Sequence, residues 1–343
     1  MKKLFFYIPV FLFFYSCDNI IEENTPANVF EVFWRTLDLH YVYFEERNID
    51  WDSIYLVYAR QARNATEEDL IRIFQEIIED FFGQRGERNV AIFSPEAWIM
   101  SWTPWSEVEG DTIVMISPNP WRVSEDFDEN RIETNFFASQ SKERRIVYFQ
   151  PLRTFRWPDL ELMEATVPNP IKFLADSLDF TNGLIIDISS NEHIAELILG
   201  FFSGEKTLYY LQDKTGRGHN DFGNRIPIRR RGMGYVPDDV PIVILTSAFT
   251  YNSGNIAVYM LSELRNNVTV IGTPTGGGGA TLRTVFLPNG WRLRFPDRKF
   301  FSSTGRSMEF SFQPDIHIEV EDDREFWNTM FSAALEYLES LQR

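Results

Sequence analysis

The sequence predicts an α/β protein, a largely parallel twisted sheet with crossover helices, preceded by a small N-terminal helical domain. Two observations predict the sheet. Apolar runs without alternation, such as Gly183-Leu184-Ile185-Ile186-Asp187 and Ile242-Val243-Ile244-Leu245-Thr246, have the make-up of strands buried on both faces. Between such runs lie segments with apolar residues at helical spacing, so strand and helix alternate from Arg145 onward. A third observation predicts the helical layer. Phe30, Phe33, Trp34, Leu37 and Tyr41 follow a helical period, and Leu70, Ile73, Phe74, Ile77, Ile78 and Phe81 follow it more regularly.

Taken in order, the chain starts with an address. Lys2 and Lys3 precede the apolar run Leu4 to Tyr15, which is too short to cross a bilayer comfortably and has the layout of an export signal. Cys17 is the only cysteine, so it has no internal disulfide partner, and its place after the apolar run resembles the lipidated cysteine of a bacterial lipoprotein. Phe14 stands where that pattern usually has Leu. Residues 1–17 are thus expected to be a lipoprotein-type signal, 18–26 an acidic tether, and 27–86 the helical domain. Thr66 and Asp69 fit a capping box for its later helix, and Gly83 with Gly86 stops it. Residues 87–145 read as an intervening segment of short β runs such as Val90 to Phe93 and Thr112 to Ile116, broken by prolines.

The α/β core is expected over 146–343. Its strands are Ile146 to Phe149, Gly183 to Ile188, Thr207 to Leu211, Ile242 to Thr246, Val268 to Ile271 and Ile316 to Val320. Its helices begin at Asn169-Pro170 and cover Ile194 to Phe202, Ser253 to Leu264 and Glu325 to Leu341. Pro288-Asn289-Gly290 reads as a hairpin turn. In such a sheet, ligand chemistry gathers at the carboxyl ends of the strands.

Composition excludes some functions. A net charge of -17 offers no long basic face for nucleic acid, and the Arg229-Arg230-Arg231 triplet reads as a solvated turn. The four histidines, His40, His193, His219 and His317, are scattered, so no metal is expected. No cofactor is expected either. Gly276 to Gly279 lacks the Gly-Lys-Ser/Thr of a phosphate loop and reads as a flexible cleft wall.

Six segments in sequence order carry a family resemblance: the strand ending at Asp187, Lys214 to Phe222, the strand-turn-helix over 242–264, Thr275 to Gly279, Leu287 to Trp291, and Glu309 to Ile316. Together they resemble the tail-specific, or C-terminal-processing, serine peptidases, in their lipoprotein members of the tricorn-like and retinoid-binding-like branch. The resemblance implies a crotonase-like peptidase core, a cleft for a peptide or an unfolded protein C-terminus (or for a protein partner), and contact with the membrane through a lipid anchor alone, in the bacterial cell envelope. Its nucleophile turn resembles T-Y-S-A-G-N. Here the turn reads Thr250-Tyr251-Asn252-Ser253-Gly254-Asn255, which places Asn252 at the nucleophile position, and an amide has no oxygen that a base could activate.

Ser253 is the alternative nucleophile, although one step along a helix start turns a side chain by about 100°. Either residue also serves as a plain helix cap. Around the oxyanion and cleft the resemblance places Asn191, Glu192, Gly254, Gly276 and Gly277. Where the family resembles D-I-R-N-N-G-G-G this chain reads Asp187-Ile188-Ser189-Ser190-Asn191-Glu192-His193-Ile194, so the glycines are gone, and a carboxylate at Glu192 opposes a developing negative charge. Glu87-Arg88-Asn89-Val90 stands where the family has D-G-H-V, so a histidine is missing. Glu309, in a segment resembling E-F-G-I-x-P-D, is the expected orienting acid, and Lys214, His219 and Asp221 form either a cleft loop, as the resemblance implies, or a plain hydrogen-bonded loop. The expectation is a catalytically degenerate homologue, with an active serine-type peptidase using Ser253 as the alternative.

Overall fold

In the computed structural model, the described residues are 24–101, 128–132, 136–151, 170–177, 179–189, 195–319 and 323–343. Cys17, the tether as far as residue 23, the run Thr112 to Ile116 and the triplet Asn191-Glu192-His193 lie outside them.

The chain enters through three helices, α1 (Pro26–His40), α2 (Trp51–Ala62) and α3 (Glu67–Gln75). Each has its own start signal. Thr25 and Asp50 accept from backbone N–H groups as N-caps, and the Thr66–Asp69 capping box is formed in both directions. A π-helical stretch, Glu76–Phe82, and a short 3-10 turn, Gly83–Arg85, follow α3, and Gly86 ends them with φ +74°.

These helices do not close a core of their own. Phe30, Phe33, Trp51 and Phe74 pack with Ile92, Ile99, Leu293 and Phe295, which line one face of an antiparallel sheet. That sheet comprises β1 (Ala91–Phe93), β2 (Trp98–Met100), β7 (Ser203–Asp213), β8 (Ile226–Met233), β11 (Ala280–Phe286) and β12 (Arg292–Ser302). Its order is β2-β1-β12-β7-β8, with β11 paired to β12 through the expected hairpin, where Gly290 takes φ +83°.

The second sheet holds β3 (Asp128–Ile132), β4 (Phe136–Ser141), β5 (Ile146–Pro151), β6 (Gly183–Asp187), β9 (Ile242–Thr246), β10 (Val268–Gly272) and β13 (Ile316–His317). The order is β13-β10-β9-β6-β5-β4-β3. The pairs from β5 to β13 are parallel, and β3 and β4 add an antiparallel edge. Three further helices accompany it, α4 (Pro170–Ser177), α5 (Ser253–Leu264) and α6 (Asp323–Ser340).

The unbroken apolar runs are explained by burial on both faces. Val147, Leu184, Ile186, Ile242, Ile244 and Val270 point to α5, whereas Ile146, Ile185, Val243, Leu245 and Ile271 point to Trp327, Phe331 and Leu338 of α6. Successive residues thus meet different helices.

Two expectations are corrected. Thr207 to Leu211 lies within β7, in the antiparallel sheet and not in the parallel series. Arg229-Arg230-Arg231 is no turn: it lies in β8, an exposed edge strand, where charges discourage pairing with another chain.

Candidate functional site

Three neighbouring parallel strands, β6, β9 and β10, end at Asp187, Thr246 and Gly272, and the segments that leave them converge. Asp187 is fully buried and anchors the first. It accepts from Tyr148 Oη (2.6 Å) and Trp327 Nε1 (2.7 Å), and from the Ser189 amide (2.9 Å). Ser247 Oγ then donates to the Ser189 carbonyl, and Thr250 Oγ1 to the Ile188 carbonyl at 2.7 Å. The tip of β6 and the turn after β9 are thereby one unit.

At the tip of that turn stands Asn252, with φ +51° and ψ −112°. This is a sparsely populated region for a side-chain-bearing residue, and a strained strand-to-helix turn is the device that presents a nucleophile in hydrolases. Its side chain makes no capping hydrogen bond, so the simple cap reading does not hold for Asn252. Backbone bonds fix the geometry. The Asn252 amide donates to Gly277 O (2.8 Å), the Gly276 amide to Thr250 O (2.8 Å), and the Ile256 amide to Asn252 O (2.9 Å). Ser253 is the first residue of α5, half-buried, and Gly254 beside it is buried.

The four glycines are a packed ribbon, which corrects the flexible-wall expectation. A Cβ on Gly276 would sit 2.4 Å from Ala248 O and 2.9 Å from Tyr251 Cβ. Gly278, at φ +84°, lies against Asn252 and the Asn89 amide, with no room to spare. Asn255 fastens the ribbon from below: Nδ2 donates to Gly278 O (3.1 Å) and Met308 O (2.6 Å), while Oδ1 accepts from Thr275 Oγ1 (2.6 Å).

Glu309 serves this ribbon. Its backbone oxygen accepts from the Gly278 amide (2.8 Å), Oε2 from the Gly279 amide (3.1 Å), and Oε1 pairs with Arg47. Burial and the Glu87 carboxylate push it up to about 8, against the pull of Arg47 and of the Gly279 amide. Glu87, fully buried, accepts from Tyr41 Oη and from the amides of Arg88 and Asn89. The expected orienting acid therefore braces a backbone, at one remove from Asn252.

Asn89 is the side chain brought beside the elbow where the resemblance led to expect a histidine. A carboxamide takes up no proton at neutral pH, so it supplies no general base.

Lys214, His219 and Asp221 are directed elsewhere. Lys214 Nζ donates to Asp38 O (2.8 Å) and lies 4.9 Å from the centre of the Phe44 ring; burial lowers it to about 8. His219 Nδ1 is 2.7 Å from Asp38 Oδ1, its ring stacked on Phe44, and Asp221 closes its own loop through Thr215 and Arg217. These bonds join the loop to the end of α1 and not to the Asn252 turn.

Arg47 was not anticipated, and Asn255 and Thr275 were read only as members of the turn and loop motifs, not as the tie between them. Asn255 had a readable signal, a buried-type amide at the head of the apolar run Ile256-Ala257-Val258, but Arg47 is 262 positions from Glu309 and had none. Among the described residues, no group of three or more His, Cys, Asp and Glu is placed to hold a metal.

The sequence profile of peptidase family S41 matches residues 163–318, and that of the tricorn protease C1 domain matches 22–79. No curated protein matches the chain by sequence. Among solved structures, a candidate peptidase from Parabacteroides merdae is 21% identical, with a TM-score of 0.75 over 92% of this chain and 97% of that one. A lipoprotein from Streptococcus agalactiae is 16% identical at a TM-score of 0.56, covering 93% of this chain and 97% of its own. The photosystem II D1 C-terminal processing protease is 10% identical at 0.50, covering 91% and 99%. With both profiles matching in order, and this fold, residues 163–318 form a peptidase family S41 domain, preceded over 22–79 by a segment matching the tricorn protease C1 domain.

Proposed function

We propose that the protein binds peptides or unfolded C-termini at the Asn252 elbow without cleaving them. The observation that carries this reading is Asn252 itself, an amide held in the strained geometry of a nucleophile. Asn89 supports it, because neither side chain can attack a carbonyl or take a proton from one that does. Exposed Phe249 and Phe310 flank the turn and offer apolar surface to a ligand. Treatment with a fluorophosphonate probe, followed by mass mapping, is expected to leave the protein unlabelled. An adduct on Ser253 would overturn the reading and establish a displaced nucleophile.

We also propose export to the bacterial envelope and anchoring through a lipid on Cys17, on the strength of the leader described above. Labelled palmitate is expected to enter the wild type and not Cys17→Ala. Equal labelling of both would refute the anchor.

A further inference from the structure

The outer face of the antiparallel sheet carries a row of unusual composition. Cross-strand registers align Trp98, Phe93, Arg292 and Phe286, one from each of β2, β1, β12 and β11. Trp98 is 71% exposed and Phe286 73%. Their neighbours along the strands, Ile92, Ile99 and Leu293, point the other way into the helical core, so the row faces outward by strand alternation. The row is also pre-organised. The Phe93 ring has Arg292 and Arg294 guanidinium groups at 5.4 and 5.3 Å and Trp98 edge-on at 5.6 Å.

Arg294 leads inward from the row. It stands opposite Ala91 in the β1 register, two residues from Asn89, which with Asn252 flanks Gly278, and its buried Nε has no hydrogen-bond partner among the described residues. An orphaned buried donor is costly, and a ligand carboxylate would satisfy it. In a chain of net charge -17, the row sets two guanidiniums beside exposed aromatic rings.

We propose that this row, joined through Arg294 to the Asn252 elbow, is a docking strip for an extended peptide that presents carboxylate and aromatic side chains on one face. In an extended chain one face collects every second residue, so acid and aromatic fall two apart. The carboxylates pair with Arg292 and Arg294, and the aromatic rings lie on Trp98 and Phe286. The strip rests on the reading of the elbow as a peptide site and adds to it a ligand class.

Fluorescence anisotropy with a labelled peptide repeating Asp-Ser-Phe-Ser tests this on the full chain. It is expected to bind at least ten-fold more tightly than the same peptide with Asn for Asp, and ten-fold more weakly to Arg292→Glu. Arg292→Gln, which removes the charge without reversing it, is expected to fall between them. Arg230→Glu, on the far edge strand β8, is expected to bind as the wild type does. Equal binding of the acidic and neutral peptides, or an Arg292→Glu variant with native circular dichroism and full affinity, overturns the strip. Cleavage of the acidic peptide with the same Arg292 dependence would refute the non-cleaving reading and leave the strip standing.

Discussion

Replacing Asn252 by glycine tests whether the elbow is held under strain. A residue at φ +51° and ψ −112° sits where a Cβ is poorly tolerated, at a cost of roughly 1–3 kcal/mol, and glycine relieves that cost. Glycine also loses more freedom on folding, about 0.5–1 kcal/mol. The Asn252 side chain makes no cap bond whose loss must be added, so the balance is a gain of about 1 kcal/mol. With a urea slope of roughly 2–3 kcal/mol/M, the unfolding midpoint of Asn252→Gly should rise by about 0.3–0.5 M. Urea unfolding followed by far-UV circular dichroism reads this directly. Asn252→Ala, which keeps the Cβ, should show no gain. A lower midpoint for the glycine variant would refute the strain.

Two further predictions concern the ribbon beneath the elbow. Asn255→Ala removes two donors and one acceptor from a buried network; with about 1–3 kcal/mol for each buried group left unsatisfied, the loss should be about 3 kcal/mol or more, and an unfolding midpoint that implies less than about 1 kcal/mol would contradict it. Glu309 has a folded value of about 8 against an ordinary 4.5, so the folded state holds more protons between these limits and stability falls as pH rises through that window. Glu309→Gln should flatten this slope, and an unchanged pH profile of the unfolding midpoint would show that another group titrates.

Much of this was legible because burial leaves a direct mark on sequence. Strands covered on both faces by α5 and α6 have to be apolar at every position, and Ile242 to Leu245 show it. The Thr66–Asp69 capping box is local, a spacing of three residues, so the sequence alone identifies it. The antiparallel sheet was less readable. Over Thr207 to Leu211, β7 has the look of a parallel strand, and its partners β8 and β12 are set by tertiary pairing that no local pattern encodes. The α2 helix shows only Trp51, Ile54, Tyr58 and Ala62 to the core, too sparse a stripe among polar residues to stand out. At the site, the elbow was visible because strand, turn and helix are contiguous. Lys214 and His219 bond to Asp38 of α1, a pairing no local pattern encodes, because a loop's neighbours depend on where its strand lands.

The elbow's shape is imposed by main-chain ties to Gly276 and Gly277 and to Thr250, none of which requires a particular side chain at position 252. A scaffold of this kind tolerates replacement at the tip without losing its form. Asparagine and serine share codons that differ by a single base, so one transition exchanges an amide for a hydroxyl at that point. With Asn89 standing where the resemblance has a histidine, that exchange alone would return the hydroxyl without the base that activates it.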